Sequence, residues 1–547
     1  MTIGEKISHL RTAGRISQEQ LAEKLSVSRQ SVSKWEMDQS VPQIDKVLQI
    51  CELFNITCDE LLRSDITIHR DAPDIVREQR TGGVGNKYFG TDGFRGEANV
   101  SLRSDQAYRV GRFLGWYFSA SASGCRKPGY RPRVVIGKDT RRSSYMLEYA
   151  IVAGLTASGA DVYMLHVTTT PSVSYVTRQD EFDCGIMITA SHNPYYDNGI
   201  KVLNRYGEKI DDATASLIEA YIDGDMARLG FDSGDLPLAH REKVGCIVDY
   251  VAGRNRYVGY LISVAAHSYR SLKIGLDCAN GASWMIAKAV FDALGAQTFV
   301  IGASPDGTNI NEGVGSTHAE TLSKFVRENH LDVGFAFDGD ADRCIAVDEK
   351  GNVVDGDKIL YVLAARLKNR GTLAGNTVVA TIMSNSGLMN AFDNAGINYA
   401  QTAVGDRFVY ECMQEHGYNL GGEQSGHIIL RKYATTGDGI LTAIMITEEM
   451  RDNKSSLSKL TAPVKLYPQI TKSVRVTSKS AVVSDPEVQK KFNEVNDAIG
   501  GKGRALLRES GTEPVVRIMV ESETEELCND FITKICTVIK KRGYCCE

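Results

Sequence analysis

The sequence predicts a multidomain protein: an all-α helix-turn-helix domain followed by four α/β domains. Three of these are expected to be similar domains with mixed sheets, and the last to be a smaller α+β domain. The chain of 547 residues is longer than one hydrophobic core organises. Its first 65 residues show helical periodicity, and from about residue 87 a β-branched run, a glycine or aspartate turn and a helical segment recur.

The composition excludes several classes of protein. With 42% hydrophobic and 24% charged residues, and no run of about 18 apolar residues, the chain lacks the signature of a membrane protein. Its first 15 residues alternate charged and apolar types and do not resemble a secretory signal. The 12 cysteines include one adjacent pair, Cys545 and Cys546, and no CxxC, which argues against zinc or a disulfide framework. We therefore expect a cytoplasmic protein with reduced thiols.

The first 64 residues are predicted to form five short helices. Ser17 and Ser28 each precede an apolar-periodic segment, and Ser17 with Gln20 has the spacing of a capping box, so two helices should begin near residues 18 and 29. A turn of about three residues between them gives a helix-turn-helix pattern. The side chains expected to face inward are Leu21, Ala22, Leu25, Val27, Val32 and Trp35.

Domain boundaries follow from changes in composition. Residues 66–86 are polar and end in a glycine cluster, as is typical of a linker. Apolar runs alternating with helical segments predict mainly parallel strands buried on both faces of their sheets. The final unit should open with strands and carry a long helix near 522–541. The predicted segments are 1–65, 66–86, 87–253, 254–354, 355–465 and 466–547.

The segment CGIMITASHNPYYDNGIKV places Ser191 directly after an apolar strand. A sheet of this type presents residues to ligands at such a position. Ser191 is therefore either a nucleophile or a helix cap. His192 and Lys201 are close enough in sequence to supply proton transfer and positive charge, and Asn193-Pro194 favours a sharp turn that would expose the hydroxyl.

The segment DVGFAFDGDADRCIAVDEKG places Asp338, Asp340 and Asp342 after an apolar strand. Three carboxylates at this spacing in an extended loop suit Mg²⁺. An EF-hand would also place a glutamate at the twelfth position, where Glu349 lies. Its sixth position would need glycine, however, and is Arg343 here. A solvated acidic turn remains the alternative.

Three further segments carry polar groups on loops bounded by glycine. NLGGEQSGHIIL offers groups that can hydrogen-bond sugar hydroxyls, RALLRESGTEPVVRIMVE a phosphate cradle between two strands, and YFGTDGFRGEAN a guanidinium on a loop. Each of the first and third segments, taken alone, is equally typical of an ordinary turn. The candidate residues are Glu423, Ser425 and His427 in the first segment, Arg508, Ser510, Gly511, Thr512 and Arg517 in the second, and Arg95 in the third.

The order of these motifs resembles that of the α-D-phosphohexomutase superfamily. TDGFRG, TASHNP, DGDADR, GEQSGH and RESGTEP follow one another over residues 88–547, supported by GKDTRRSSYMLE, GSTH and VGDR. The glutamine of GEQSGH and the segment YYDNGIKV are most similar to the bacterial branch that acts on glucosamine phosphates. The first 65 residues resemble the Cro/C1-type (XRE) helix-turn-helix family.

The resemblance implies a role for each candidate residue. Ser191 would be the phosphoserine, and Asp338, Asp340 and Asp342 would hold one Mg²⁺ together with the phosphate of Ser191. Arg95 and Arg343 would steady the transferring phosphoryl group. The implied acid–base groups are His192, Lys201 and His427. The implied sugar ligands are Glu423, Ser425 and His427, and the implied phosphate ligands are Arg508, Ser510, Gly511, Thr512 and Arg517.

The implied reaction is the interconversion of glucosamine 6-phosphate and glucosamine 1-phosphate through a phosphoserine and a sugar bisphosphate, which also primes the enzyme. Specificity for mannose or glucose phosphates is one alternative. A transcriptional regulator whose enzyme-like body only senses a sugar phosphate is another, although the serine, the aspartates and Lys201 are all retained. The final domain would act as a mobile lid over a shared cleft.

The helix-turn-helix resemblance implies DNA as a partner. The net charge of the whole chain is −5, while residues 1–36 carry six basic and four acidic side chains, a net of +2, so we expect modest affinity from one copy. A homodimer would present two copies to a two-fold site. A helical module for protein contacts is the alternative. The expected DNA-contacting residues are Gln18, Arg29, Gln30, Ser33 and Lys34, the last four on a recognition helix at about 29–36.

Overall fold

The computed structural model describes most of the chain after residue 86 and parts of the segment before it. Contacts divide the chain into two compact units, Met1–Thr81 and Gly82–Glu547. Among the described residues, no helix is long and apolar enough to cross a bilayer. The described ranges are 2–13, 18–25, 27–38, 40–42, 46–47, 49–51, 61, 87–90, 92–121, 130–500, 503–509 and 515–545.

The N-terminal unit contains the predicted helix-turn-helix. Its helices are α1 (Ile3–Ala13), α2 (Gln18–Lys24) and α3 (Arg29–Glu36). The starts of α2 at Gln18 and α3 at Arg29 agree with the two predicted helix starts, and the hydroxyl of Ser28 caps α3 by accepting a 3.1 Å bond from the N–H of Ser31. Ser17 and most of the two further predicted helices lie outside the described residues. The predicted inward side chains are buried, apart from Val27, which packs against the core while partly exposed.

The first sheet has seven strands and is mixed. Its order is β1-β2-β6-β5-β3-β4-β7, with β3, β4, β5 and β7 parallel and β6, β2 and β1 added in antiparallel fashion. The strands are β1 (Phe89–Gly90), β2 (Gly93–Glu97), β3 (Arg133–Lys138), β4 (Asp161–Val167), β5 (Cys184–Ile188), β6 (Asp197–Asn204) and β7 (Ile247–Asp249). The helices are α4 (Ser104–Ser121), α5 (Arg142–Ala157), α6 (Thr170–Gln179) and α7 (Asp212–Asp223), with 3-10 turns at Ala227–Leu229 and Arg241–Lys243.

Apolar side chains of the strands and of the helices packed on the two faces of this sheet form two hydrophobic clusters. The apolar run of β5 is fully buried, as expected for a strand covered on both faces. Arg95, predicted on a loop, lies instead on β2, where it pairs with Gly199 of β6. A Cβ at Gly199 would lie 2.6 Å from the carbonyl oxygen of Thr189 and 3.1 Å from the Arg95 side chain, so glycine at this position lets the strands approach closely.

The second and third sheets share one continuous core. The second sheet runs β12-β11-β10-β8-β9 and the third β14-β13-β15-β16, each with parallel central strands and an antiparallel edge. Their strands are β8 (Lys273–Asp277), β9 (Gln297–Ile301), β10 (Val333–Phe337), β11 (Cys344–Asp348), β12 (Val353–Val354), β13 (Thr377–Thr381), β14 (Asn398–Thr402), β15 (Leu420–Gly422) and β16 (Ile428–Leu430).

The helices packed on these two sheets are amphipathic or, at the shared core, apolar on most sides. They are α8 (Val251–Val264), α9 (Ile286–Ala293), α10 (Ala319–Asn329), α11 (Gly356–Asn369), α12 (Ser386–Ala395), α13 (Asp406–His416), α14 (Gly439–Asp452) and α15 (Leu457–Leu460), with a 3-10 turn at Ala374–Asn376. The predicted boundary at 253/254 falls inside α8, whose Tyr257 and Leu261 belong to the shared core. The predicted linker, 66–86, lies outside the described residues.

The C-terminal part is a smaller α+β layer with its own core. Its antiparallel sheet has the order β17-β19-β18. The elements are β17 (Gln469–Arg475), α16 (Lys479–Ser484), α17 (Pro486–Ile499), β18 (Arg504–Glu509), β19 (Val515–Glu521) and α18 (Glu525–Lys541). The helix predicted near 522–541 is therefore present and begins three residues later, with Thr524 as its cap.

Candidate active site

Ser191 lies in a tight turn that connects β5 to β6. Its φ angle is 53°, in the left-handed region that few non-glycine residues adopt. The chain continues through a turn into the strand β6, so no helix begins at Ser191 and its interpretation as a helix cap is wrong. The residue is 1% exposed. A strained, buried serine at the end of a strand is typical of a functional position.

The Ser191 hydroxyl faces two polar groups. It donates a 2.5 Å hydrogen bond to Oδ2 of Asp338 and lies 3.3 Å from Nδ1 of His192. Burial, then the positive charges of Arg343 and Arg95, lower the pKa of His192 to about 4. The two predicted arginines are thus close enough to act on the histidine beside the serine.

Asp338, Asp340 and Asp342 converge as predicted. They follow the buried strand β10, and one carboxylate oxygen of each lies within 4.8 Å of the others. Strands flank the loop on both sides, so the EF-hand alternative is wrong, and because all three residues are buried, a solvated acidic turn is excluded.

Two of these carboxylates have unsatisfied oxygens. Within the described residues, Oδ1 of Asp340 and Oδ1 of Asp342 are buried without a hydrogen-bond partner. A buried carboxylate oxygen without a partner is costly, and oxygen atoms are the ligands that Mg²⁺ prefers. The donor set therefore fits a divalent cation.

Lys201 contacts two of the three aspartates. Its ammonium donates to Oδ2 of Asp340 at 2.6 Å and to Oδ2 of Asp342 at 3.0 Å, and the residue is 3% exposed. Burial disfavours the charged form, but the two carboxylates outweigh burial and raise the pKa of Lys201 above its usual value. The hydroxyl of Thr170 also donates to Asp340, at 2.5 Å.

Arg95 and Arg343 bring positive charge to the same site. The Nε atom of each is buried and has no hydrogen-bond partner among the described residues. Arg95 lies 3.4 Å from Asp92, and the backbone N–H of Arg343 donates to Oδ1 of Asp338 at 3.2 Å. Two guanidinium groups with unused donors suit the oxygens of a phosphoryl group.

The GEQSGH loop joins β15 to β16. Ser425 is exposed and Glu423 half-buried, with Oε1 of Glu423 accepting a 3.0 Å bond from the N–H of Gly405. His427 is 3% exposed; its Nε2 accepts a 2.9 Å bond from the N–H of Gly437.

The other nitrogen of His427 faces the metal loop. Its Nδ1 lies 3.7 Å from Oδ1 of Asp342. Gln424, the residue that resembles the glucosamine-phosphate branch, is half-buried on the GEQSGH loop. Glu423 and Ser425 are thus the predicted sugar ligands that retain access, whereas His427 contacts the metal loop.

Sequence reasoning missed a second group of charged residues behind the aspartates. Nζ of Lys209 lies 2.7 Å from Asp406 and 3.2 Å from Asp92, and Oδ2 of Asp406 lies 3.5 Å from His427. Asp92 belongs to TDGFRG and Asp406 to VGDR, so their motifs were recognised but their charges were not assigned. Two further missed residues, Arg141 and Asn311, contact the backbone of the serine turn.

The predicted phosphate ligands are only partly described. Arg508 and Arg517 face each other across β18 and β19. Burial and the charge of Arg517 lower the pKa of Arg508, as expected for two cations held side by side. Ser510, Gly511 and Thr512 lie outside the described residues.

The predicted DNA-contacting residues fall into two sets. Arg29, Gln30 and Lys34 are exposed on α3, and Ser33 is half-buried on the same helix. The amide of Gln18 instead donates a 2.8 Å bond to Glu36. The exposed set provides the polar surface expected of a recognition helix.

Family sequence profiles match both parts of the chain. Those of the phosphoglucomutase/phosphomannomutase family match as alpha/beta/alpha domain I over residues 86–228, domain II over 255–351, domain III over 355–467 and the C-terminal domain over 472–538. A helix-turn-helix profile matches residues 7–61.

Curated relatives are similar over the enzyme-like part. The chain is 58% identical to the phosphoglucosamine mutase of Lachnospira eligens over 458 residues, which cover 84% of this chain and 99% of the relative. It is 46% identical to the phosphoglucosamine mutase of Bacillus subtilis over 454 residues, 83% of this chain and 98% of the relative. Because the relatives are covered almost completely at these lengths, they have no region left to correspond to the helix-turn-helix match.

Solved structures show the same fold. A phosphoglucomutase/phosphomannomutase family protein from Burkholderia thailandensis aligns with a TM-score of 0.67 at 23% identity, covering 83% of this chain and 97% of that one. An N-acetylphosphoglucosamine mutase from Aspergillus fumigatus, in complex with GlcNAc-6P and magnesium, aligns with a TM-score of 0.60 at 16% identity, covering 83% and 96%. The chain therefore belongs to the phosphoglucomutase/phosphomannomutase family, enzymes that transfer phosphate intramolecularly, and within it to the phosphoglucosamine mutases, with an N-terminal helix-turn-helix region.

Proposed function

We propose that this enzyme interconverts glucosamine 6-phosphate and glucosamine 1-phosphate through a phosphorylated Ser191. The observation that carries the proposal is the 2.5 Å contact between the Ser191 hydroxyl and a buried loop of three aspartates. The family membership supports the reaction, and the 58% identical relative supports glucosamine phosphate as the substrate.

Each phosphoryl transfer exchanges one P–O bond for another. In the first step the bond to the oxygen of Ser191 breaks and a bond to a sugar hydroxyl oxygen forms; the hydroxyl proton leaves, and the serine oxygen regains one. The sugar bisphosphate then reorients in the site, and its other phosphate is transferred to Ser191 by the reverse exchange. A sugar bisphosphate would also prime the enzyme, because it can donate the first phosphate.

The site residues divide the work of this transfer. Arg95 and Arg343 are assigned to the phosphoryl oxygens, because their charges act on His192 and the buried Nε of each has no hydrogen-bond partner in the described part of the chain. Asp338, Asp340 and Asp342 would hold one Mg²⁺, which would neutralise negative charge on the phosphate. His192, at 3.3 Å from the Ser191 oxygen, is assigned to proton exchange.

The remaining predicted residues bind and position. Glu423 and Ser425 are assigned to the sugar, and Arg508 and Arg517, with the loop 510–512, to the phosphate that is not reacting. Lys201 holds Asp340 and Asp342 in place, and His427 supports Asp342 from the other side. We assign these two residues to the metal loop because both are buried against it.

We further propose that the N-terminal region binds DNA through α3 and that the enzyme acts in the cytoplasm as a homodimer. The exposed side chains of Arg29, Gln30 and Lys34 support DNA contacts. Pairing two copies would compensate for their modest net charge. The scattered cysteines support a reducing compartment.

A coupled assay for glucosamine 1-phosphate, with purified full-length protein, Mg²⁺ and a priming sugar bisphosphate, tests the proposed activity. Mannose 6-phosphate and glucose 6-phosphate serve as competing substrates. We expect the glucosamine substrate to give the highest kcat/KM. A higher value for either hexose phosphate would contradict the substrate assignment, and an inactive primed enzyme would favour a sugar-phosphate sensor.

A further inference from the structure

The serine turn is held by two side chains, one from the loop between β3 and α5 and one from the loop between β9 and α10. The carbonyl oxygens of Ser191 and Asn193 each accept one bond from Nη2 of Arg141, at 2.9 and 2.8 Å. Each accepts a second bond from Nδ2 of Asn311, at 2.9 and 3.0 Å. Four hydrogen bonds thus fix two carbonyls on either side of His192.

We call Arg141 and Asn311 together the clamp of the serine turn. Arg141 is itself held by further hydrogen bonds within the first α/β domain. Arg141 is fully buried, its Nε donates to Asp139 at 2.8 Å, and its Nη1 donates to the carbonyl oxygens of Pro194 and, at 3.0 Å, Asp197. Asp139 is held in turn by the hydroxyl of Ser144 at 2.8 Å. Every donor group of the guanidinium is therefore committed to the turn or to its anchor.

Asn311, the other residue of the clamp, lies in the loop between β9 and α10 of the second sheet. Asn311 is 6% exposed, and its φ angle is 60°, a conformation that asparagine tolerates better than most residues. Its backbone N–H donates to the carbonyl of Ala279 at 2.8 Å, next to the end of β8. The two hydrogens of its amide nitrogen match the two carbonyls, so both side-chain donors are used.

The clamped carbonyl also touches the metal loop. A Cβ at Gly339 would lie 2.4 Å from the carbonyl oxygen of Ser191, so the backbone of the aspartate loop packs directly on it. Ser191 itself has a left-handed φ of 53°, a conformation that persists only when its surroundings impose it. A shift of the Ser191 backbone would therefore move its hydroxyl relative to Asp338.

We propose that Asn311 is a positioning residue for phosphoryl transfer: its amide locks the turn that carries Ser191 onto the sheet that carries the aspartates. This inference rests on the proposed role of Ser191 as the phosphate carrier. The Asn311 amide bonds the backbone carbonyls of the turn, and acts by fixing where the Ser191 hydroxyl points. Small displacements of a reacting group are expensive, since about 1 Å can cost about 100-fold in rate.

Two substitutions test the contribution of the Asn311 amide separately from that of its left-handed backbone conformation. Asn311→Gly keeps the left-handed conformation and removes the side chain, whereas Asn311→Asp keeps the size and replaces the donor by an oxygen that repels both carbonyls. Asn280→Gly is the matched control. Asn280 also has a left-handed φ, 49°, but its amide contacts Asn309 and Ser304, within the loops of the second sheet.

The experiment measures steady-state turnover and the rate at which glucose 1,6-bisphosphate loads phosphate onto Ser191, followed by intact mass. We expect both Asn311 variants to lose about 10- to 100-fold in kcat and in loading rate, with KM within about 2-fold of wild type. Asn280→Gly should retain both rates. Unchanged loading in both Asn311 variants, or an equal loss in Asn280→Gly, would overturn the proposal.

The loading rate also separates this inference from the proposed function. If wild type loads phosphate but does not turn over glucosamine phosphates, the substrate assignment fails while slower loading by the Asn311 variants still supports the clamp. If wild-type Ser191 takes no phosphate, both proposals fail. Circular dichroism and melting temperature of each variant show whether it is folded, and rates are compared only among folded proteins.

Discussion

The hydroxyl of Ser191 and Oδ2 of Asp338 are joined by a 2.5 Å hydrogen bond across 147 positions of sequence. Burial, then the charges of Asp342 and Asp340, raises the pKa of Asp338 well above its usual value. A phosphate on Ser191 would replace this hydrogen bond with two facing anions. The site must therefore compensate for this concentration of negative charge.

Ser191→Ala should reduce kcat by several orders of magnitude, because no other group replaces the phosphate carrier. The intact mass of the primed protein should lack the adduct of about 80 Da that wild type carries. Ser263→Ala, which removes an exposed hydroxyl on α8, is the control and should behave as wild type. Substantial residual activity in Ser191→Ala would contradict the phosphoserine assignment.

Asp340→Asn should weaken Mg²⁺ binding at least 10-fold, since even substituting a residue that only hydrogen-bonds a metal ligand costs about 10- to 100-fold in affinity. Among the described residues Oδ1 of Asp340 is buried without a hydrogen-bond partner, which is why we propose it as a ligand. Isothermal titration calorimetry with Mg²⁺ or Mn²⁺ measures the affinity directly, without turnover. The control is Asp292→Asn, a carboxylate paired with Lys288 on α9. Equal affinities in the two variants would contradict the metal site.

Lys201→Met should destabilise the metal-free protein by about 3 to 5 kcal/mol, because it leaves two buried carboxylates without their cation. Adding Mg²⁺ should raise the melting temperature of this variant by more than that of wild type, since a divalent ion supplies the missing positive charge. Differential scanning calorimetry with Mg²⁺ and with a chelator measures both effects. An identical Mg²⁺ shift in the two proteins would argue against charge compensation.

Asp357→Asn should make stability less dependent on pH. Burial, then the charge of Asp355, raises the pKa of Asp357 to about 7, above the value of about 3.9 for an unfolded aspartate. The protonated form therefore stabilises the fold below about pH 4, and this contribution is lost as pH rises through about 7. The variant should be more stable than wild type at pH 8.

Urea unfolding at pH 5 and pH 8 measures this effect. The amide oxygen that Asp357→Asn introduces can still accept the bond that the N–H of Asn385 now donates to Asp357 at 2.7 Å. Asp393→Asn, at an exposed position of α12, should keep the wild-type pH dependence. A gain in stability at pH 5 equal to the gain at pH 8 would contradict the role of Asp357 ionisation.

Gln30→Ala should reduce sequence preference in DNA binding, whereas Lys34→Ala should lower affinity for all duplexes and reduce the salt dependence by about one unit of slope. Both side chains are exposed on α3. Selection from random duplexes, followed by fluorescence anisotropy at several salt concentrations, measures the two effects. Lys288→Ala, in the enzyme body, is the control. If no sequence is enriched by wild type, the region is better explained as a protein-contact module.

Local chemistry made much of the fold predictable. Ser28 caps α3 through its own neighbouring backbone, and the apolar run before Asp338 forms a strand because its residues are buried on both faces. The aspartate triad was found because its members are two residues apart in one loop. In each case the atoms that decide the structure lie within a few positions of one another.

The sequence alone could not place Arg95 on a strand, since strand pairing with Gly199 depends on a partner about a hundred positions away. The GEQSGH motif predicts His427 as a sugar ligand, but could not show that the ring lies 3.7 Å from Asp342 of the metal loop. Side-chain direction depends on the packing of neighbouring elements, which a motif does not contain.

The family, the helix-turn-helix pattern and the three carboxylates could be recognised before folding was considered, because they depend on short motifs and on the order of those motifs along the chain. The contacts of Ser191 with Asp338, of Lys201 with Asp340 and Asp342, and of Asn311 with the serine turn became visible in the folded chain alone. The physical reason is that these contacts join different strands and sheets, where burial makes each hydrogen bond and charge pair specific.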